Sequence, residues 1–102
     1  MALLLIDRDV VRLNNPPADR FAVQGIDVSH HQGVVDWERV ASNRAIRFVY
    51  IKASEGGDFR DASFTENWNG ARRAGLVAGA YHYFTFCRSG RDQAANFLAA
   101  TP

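Results

Sequence analysis

The sequence predicts an α/β fold in which parallel strands alternate with amphipathic helices, and three observations predict it. Apolar runs of strand length at 21–29, 48–54 and 76–84 recur at intervals of roughly 25 to 30 residues. Each run is followed by a cluster of turn residues and then by apolar positions at helical spacing. The middle run, FVYIKAS, is nearly continuous in its apolar character, as a parallel strand covered on both faces would be.

The first strand, FAVQGIDVS, runs into the turn-like HHQG, after which Asp36 is placed to cap a helix over WERVAS. Trp37, Val40 and Ala41 share one face of that helix by their i, i+3, i+4 spacing. The second strand, FVYIKAS, leads into the loop EGGDFRDA. Ser63 and Glu66 then stand at capping-box spacing ahead of a helix whose apolar stripe is Phe64, Trp68 and Ala71. Gly75 is placed to end that helix. The third strand, LVAGAYHYF, precedes a helix opened by Ser89-Gly90-Arg91-Asp92, with Ala94, Phe97 and Leu98 as its buried stripe. Three such units imply parallel strands joined by crossovers. A small open sheet, a doubly wound sheet and the first part of a (β/α)8 barrel all begin this way.

The chain has 102 residues, 47% of them hydrophobic and 23% charged, which is the composition of a folded domain and excludes a disordered or fibrous chain. Twelve Lys plus Arg oppose eleven Asp plus Glu for a net charge of +1, so no nucleic-acid partner is implied. Arg72, Arg73, Arg88 and Arg91 read as solvated helix-surface residues. Cys87 has no disulfide partner within the chain and reads as a packed thiol. The apolar start, MALLLI, is too short for a membrane span or a signal core and has no basic residue ahead of it. It reads as a structured edge segment rather than the remnant of an export sequence. Asn14-Asn15-Pro16-Pro17 reads as a linker, so 1–20 is an expected extension and 21–102 the expected domain.

In parallel α/β folds, reactive groups gather at the carboxyl ends of strands. Asp27 ends the first strand, Glu55 follows the second, and Tyr81, His82 and Tyr83 end the third. Alternation sets Asp27 on the face opposite Ile26 and Val28. A carboxylate among apolar neighbours is costly unless it is hydrogen-bonded or used, so Asp27 is either a loop cap or a working group. Glu55 is flanked by Gly56 and Gly57, and Lys52 is placed to pair with either carboxylate and keep it ionised. Two carboxylates and aromatic rings at one cleft suit glycoside hydrolysis. His30 and His31 with His82 do not make a metal site, because adjacent residues diverge and no Cys or carboxylate stands at ligand spacing. No metal and no cofactor is expected. The letters GGDF at 56–59 read as a loop, and no phosphate-binding glycine motif follows a strand.

The segments GIDVSHHQGVVDW, FVYIKASEGGDFRD, SFTENWNGARRAGLVAGAYHYF and QAANFL resemble, in order, the N-terminal half of glycoside hydrolase family 25, the Chalaropsis-type lysozymes. The resemblance implies a modified (β/α)8, TIM-like barrel, here represented by about three βα units forming a partial parallel sheet. It implies a metal-free enzyme that cleaves the β-1,4 bond between N-acetylmuramic acid and N-acetylglucosamine in peptidoglycan. Asp27 matches the family's first-strand catalytic aspartate, and Glu55 matches the glutamate of its K-x-[ST]-E-G signature. Tyr81 and His82 match positions that line the saccharide groove, with Tyr83 and Lys52 counted beside them. The family's fourth-strand Asp-x-Glu pair, whose glutamate is the general acid, is not found, and Pro102 falls where the lead-in to that strand begins. The expectation is a chain cut before its acid and weak or inactive alone, since losing a general acid costs roughly 10²- to 10⁴-fold. An open sheet edge would invite a homo-oligomer or a complementing chain. The implied substrate places the protein outside the cytoplasmic membrane, periplasmic or secreted. A non-catalytic saccharide-binding remnant and a small α/β interaction module are the competing expectations.

Overall fold

The computed structural model describes residues 23–102, so the expected extension 1–20 and the first two residues of the first strand run lie outside the described residues. The described chain forms β1 (Gln24–Val28), a 3₁₀ turn (His30–Gln32), α1 (Trp37–Ser42), β2 (Ile46–Glu55), β3 (Phe59–Arg60), α2 (Phe64–Arg73), β4 (Val77–Tyr83) and α3 (Gly90–Ala100). β2 is central, with β1 and β4 parallel on either side of it, while the two-residue β3 pairs antiparallel with the end of β2. Strand-helix alternation thus yields the expected parallel pairing. β3 is an addition: its two residues, Phe59 and Arg60, lie in the segment that reads as loop.

The helices cover one face of the sheet. Val28, Val49, Ile51 and Ala53 from the strands pack there with Trp37 and Val40 of α1, Phe64 and Ala71 of α2, and Leu76. Among the described residues nothing covers the opposite face, and the sheet is open. β2 is therefore not buried on both sides as its apolar run predicts: Tyr50 keeps 53% of its surface exposed. Two glycines make room for aromatic rings on this open face. A Cβ on Gly25 would fall 2.1 Å from the Phe48 ring, and one on Gly79 would fall 3.0 Å from Tyr50. Gly25 and Gly79 are the cross-strand partners of Phe48 and Tyr50.

Local signals decide the helix ends, with one substitution of roles. Asp36 caps α1 as expected, accepting from the Arg39 amide at 3.2 Å. α2 ends in a Schellman motif: the Gly75 amide reaches the Arg72 carbonyl, the Leu76 amide reaches the Ala71 carbonyl, and Gly75 has φ +88°. The capping box expected of Ser63 and Glu66 does not form, since Ser63 makes no side-chain cap. Asp61 takes that place, accepting from the Ser63 amide at 2.8 Å through its side chain and from the Phe64 amide through its carbonyl.

α3 also departs from its apolar reading. Ala94 and Leu98 are exposed, Phe97 is half-buried, and the residues turned inward are Gln93 and Asn96. Loop carbonyls at the ends of β2 and β4 meet these two amides, so a polar pair is satisfied where a stripe of apolar side chains was expected. Cys87 is exposed rather than packed. Arg72, Arg73, Arg88 and Arg91 are exposed as expected. No helix among the described residues is long and apolar enough to cross a membrane.

Candidate active site

The carboxyl ends of β1, β2 and β4 meet on the open face. Alternation sends Ile26 and Val28 toward the helices and turns Asp27 to the open side, where its register partner is Tyr50. Asp27, Tyr50, Tyr81 and Tyr83 line a cleft of about 480 Å³. Tyr81 is half-buried; burial, and then the charges of Asp27, Asp61 and Glu55, push its phenol up to about 12. That hydroxyl therefore stays protonated and available as a donor at neutral pH.

Strict alternation along β2 would turn Glu55 to the helix side with Val49 and Ile51, away from Asp27. A bulge corrects this. Lys52 pairs with Tyr81 and Ser54 with His82, so Ala53 is the extra residue against β4. Ala53 belongs to the covered core, and Ser54 is also on the covered side, where its hydroxyl meets His82. Two successive residues on one side return Glu55 to the other, opposite Tyr83. On the β3 side of β2, the Ala53 carbonyl accepts from the Asp61 amide at 2.9 Å, continuing the antiparallel pairing of Ser54 with Arg60.

Lys52 is only 4% exposed and forms an ion pair with Glu55. Its ammonium also lies 5.2 Å from the ring centres of both Phe59 and Tyr83, within cation–π range. The Lys52 hydrogen bond holds the Glu55 carboxyl below its ordinary value; burial opposes this, while the charges of Lys52, His31 and His30 add to it. Of the two partners open to Lys52 in the sequence, the structure selects Glu55.

Asp61 is the site residue that sequence reasoning missed. Its carboxylate is fully buried and accepts from both the His30 backbone amide (2.8 Å) and the His30 ring Nδ1 (2.9 Å). An ionised carboxylate only accepts, so Nδ1 must carry the proton and Nε2 is left as the second ring nitrogen. Burial pushes the Asp61 carboxyl up, but the hydrogen bonds from His30 and Ser63 outweigh it and hold it below its ordinary value. The one local signal was Asp61-Ala62-Ser63, an Asx-turn spacing that competes with the capping box. Tyr50 and Phe59 were also missed, Tyr50 because its run looked wholly buried.

His82 is not brought to the cleft. Its Nδ1 lies 2.7 Å from the Ser54 hydroxyl and its Nε2 lies 2.9 Å from Gln93 Oε1, on the helix side of the sheet. The structure thus gathers Asp27, Glu55, Lys52, Tyr81 and Tyr83 on one face and sets His82 behind them. His30 and His31 form the rim, their ring centres 4.1 Å apart. Among the described residues no group of three His, Cys, Asp or Glu side chains is placed to hold a metal ion.

Known proteins resemble this chain in sequence and in fold. The sequence profile of Glycosyl hydrolases family 25 matches residues 26–102. Lysozyme M1 of Streptomyces globisporus is 43% identical over 84 residues, covering 82% of this chain and 28% of its own length. A family 25 glycosyl hydrolase from Bacillus anthracis superposes with a TM-score of 0.75 at 39% identity, over 82% of this chain and 38% of that one. The bacterial lysozyme from Streptomyces coelicolor gives 0.71 at 44% identity, over 78% of this chain and 36% of that one. The chain thus spans well under half the length of the relatives it matches.

Proposed function

The chain belongs to glycosyl hydrolases family 25, and from that premise we propose that its tyrosine-lined cleft is part of the saccharide groove of a peptidoglycan muramidase, with Asp27 and Glu55 as its carboxylates. The observation that carries this reading is the placement of Asp27 among Tyr50, Tyr81 and Tyr83 on the uncovered face of the sheet. Flat tyrosine rings offer apolar surfaces to sugar C–H groups, and the protonated Tyr81 hydroxyl offers a donor. In a complete (β/α)8 barrel this face would be the interior, and the cleft its mouth.

Cleavage of a β-1,4 glycosidic bond requires a proton for the departing oxygen and stabilisation of positive charge at the anomeric carbon, which then takes a hydroxyl from water. Asp27 suits the second task, supporting the charge or orienting the substrate's own N-acetyl group. A general acid must hold its proton near neutral pH, so its pKa has to be raised. Glu55 is held ionised by Lys52, and Asp61 by its hydrogen bonds to His30 and Ser63, so neither is suited to donate. The residues described here thus supply binding and charge stabilisation, and turnover by the 102-residue chain alone is weak or absent. A saccharide-binding role without cleavage is the second reading, favoured by that same ionised state. β1 and β4 each pair only with β2 among the described residues, which leaves edges for a second copy or a complementing chain. The substrate places the site of action outside the cytoplasmic membrane.

Zymography on peptidoglycan and pull-down with cell-wall sacculi test the proposal together, comparing the chain with Asp27→Asn and Glu55→Gln. Sacculus binding that Asp27→Asn weakens supports the groove. Clearing that is lost in both variants adds catalysis by this chain. A chain that neither binds nor clears refutes both saccharide readings.

A further inference from the structure

α3 turns two amides inward at i, i+3 spacing, and each grips a different loop. Gln93, 2% exposed, accepts from the Thr85 amide and from His82 Nε2, and donates to the carbonyls of Thr85 and Arg88. Asn96, 6% exposed, donates through Nδ2 to the carbonyls of Phe59 (3.1 Å), Gly56 (3.2 Å) and Glu55 (3.5 Å), while Arg60 Nε donates to its Oδ1 at 3.3 Å. Two amide hydrogens shared among three carbonyls fix the loop 55–59 from behind.

That loop carries both ends of the lysine cage. Glu55 and Phe59 are cross-strand partners, Glu55 pairs with the Lys52 ammonium, and the Phe59 ring stands over it. The strand holding Phe59 is two residues long, too short to keep its place by ladder hydrogen bonds alone. We propose that Asn96 is a positioning residue for the candidate active site: its amide clamps the loop 55–59 so that Glu55 and Phe59 stay on either side of Lys52. Without the clamp the loop lifts, Phe59 leaves the ammonium, water reaches Lys52, and the ion pair to Glu55 weakens by screening. The importance of this clamp for glycan cleavage rests on the reading of Glu55 as an active-site group; the positioning itself does not.

The test follows the Glu55 side-chain carboxyl by ¹³C NMR through a pH titration of the whole chain. The charged or titrating groups acting on it are Lys52 on its own strand, His30 and His31 on the rim, and Tyr81 on β4, whose phenol its charge in turn affects. Asn96→Ala is expected to move the Glu55 midpoint upward, toward an ordinary carboxylate, and to abolish Lys52–Phe59 cross-peaks. Gln93→Ala, which removes an equally buried amide from the same helix face but does not touch the loop, is expected to leave both unchanged. An unmoved Glu55 in Asn96→Ala, or an equal movement in Gln93→Ala, overturns the proposal. Should Asn96→Ala fail to fold, hydrogen exchange of the side-chain amides in the unaltered chain decides. Slow exchange at Asn96 relative to the exposed Asn69 supports the clamp, and equal rates refute it. Loss of sacculus binding is read separately, so failure of the saccharide reading leaves this result standing.

Discussion

At the scale of single residues, the site is governed by who holds each carboxylate. Asp27 was legible in the sequence because one rule, alternation along a strand, fixes its face and the strand end fixes its place. Glu55 was not legible by that rule, since it reaches the same face only through the extra residue at Ala53. Beyond its local Asx-turn spacing, the bond that ties Asp61 to the site was not legible, because its partner, His30, lies 31 positions away. Its carboxylate meets the part-buried backbone amides of His30 and Ser63, and removing a charged acceptor from such donors costs roughly 1–3 kcal/mol. Asp61→Ala is expected to lose that much in denaturant unfolding, with Asp61→Asn in between. The pH dependence has a definite sign. Glu55 and Asp61 both titrate below their ordinary values of 4.5 and 3.8 in the folded chain. On acidification the unfolded chain takes up these protons first, so their contribution is complete above the ordinary values and is lost as pH falls through the lower folded ones. Replacing Asp61 with Asn should flatten the acid limb of a stability profile below about pH 4 relative to the unaltered chain. An unchanged acid limb would show that the Asp61 carboxylate is not held as described. Lys52→Met is expected to return the Glu55 midpoint upward, as an NMR titration would read directly.

At the scale of elements, signals that act within one turn were legible and those that need a distant partner were not. Gly75 marks the end of α2 by conformation alone: its φ of +88° favours glycine, and a Cβ there would meet nothing within 4 Å. Gly75→Ala therefore isolates backbone strain, with an expected loss of about 1 kcal/mol. For a domain of this size that lowers Tm by roughly 4–8 °C. Ser63 presents the opposite case, a correct capping pattern that the chain does not use. Because its hydroxyl makes no cap, Ser63→Ala should change stability by less than about 0.5 kcal/mol, whereas a loss near 1 kcal/mol in chemical denaturation would restore the capping box. α3 was placed correctly and faced wrongly. Hydrophobic periodicity assumes that a buried face is apolar, and Gln93 and Asn96 break that assumption because loop carbonyls await them.

At the scale of the whole molecule, the three strand-helix units and their parallel pairing followed from periodicity, since the same pattern must bury one sheet face under helices. Whether the other face closes did not follow, because closure depends on chain that the repeat does not contain. The described sheet is open, with Phe48, Tyr50 and Tyr83 on its uncovered face and the cleft at its carboxyl end. Under the proposed function, that face is part of a saccharide groove. The most direct measurement is an NMR titration of the ¹⁵N-labelled chain with a soluble N-acetylglucosaminyl-N-acetylmuramic acid fragment, compared with Asp27→Asn. The account expects saturable shifts at Asp27, Tyr50, Tyr81 and Tyr83, with the covered residues around Trp37 and Phe64 unmoved, and weaker binding in Asp27→Asn. No saturable shift at the cleft, or shifts confined to the helix side, would contradict it.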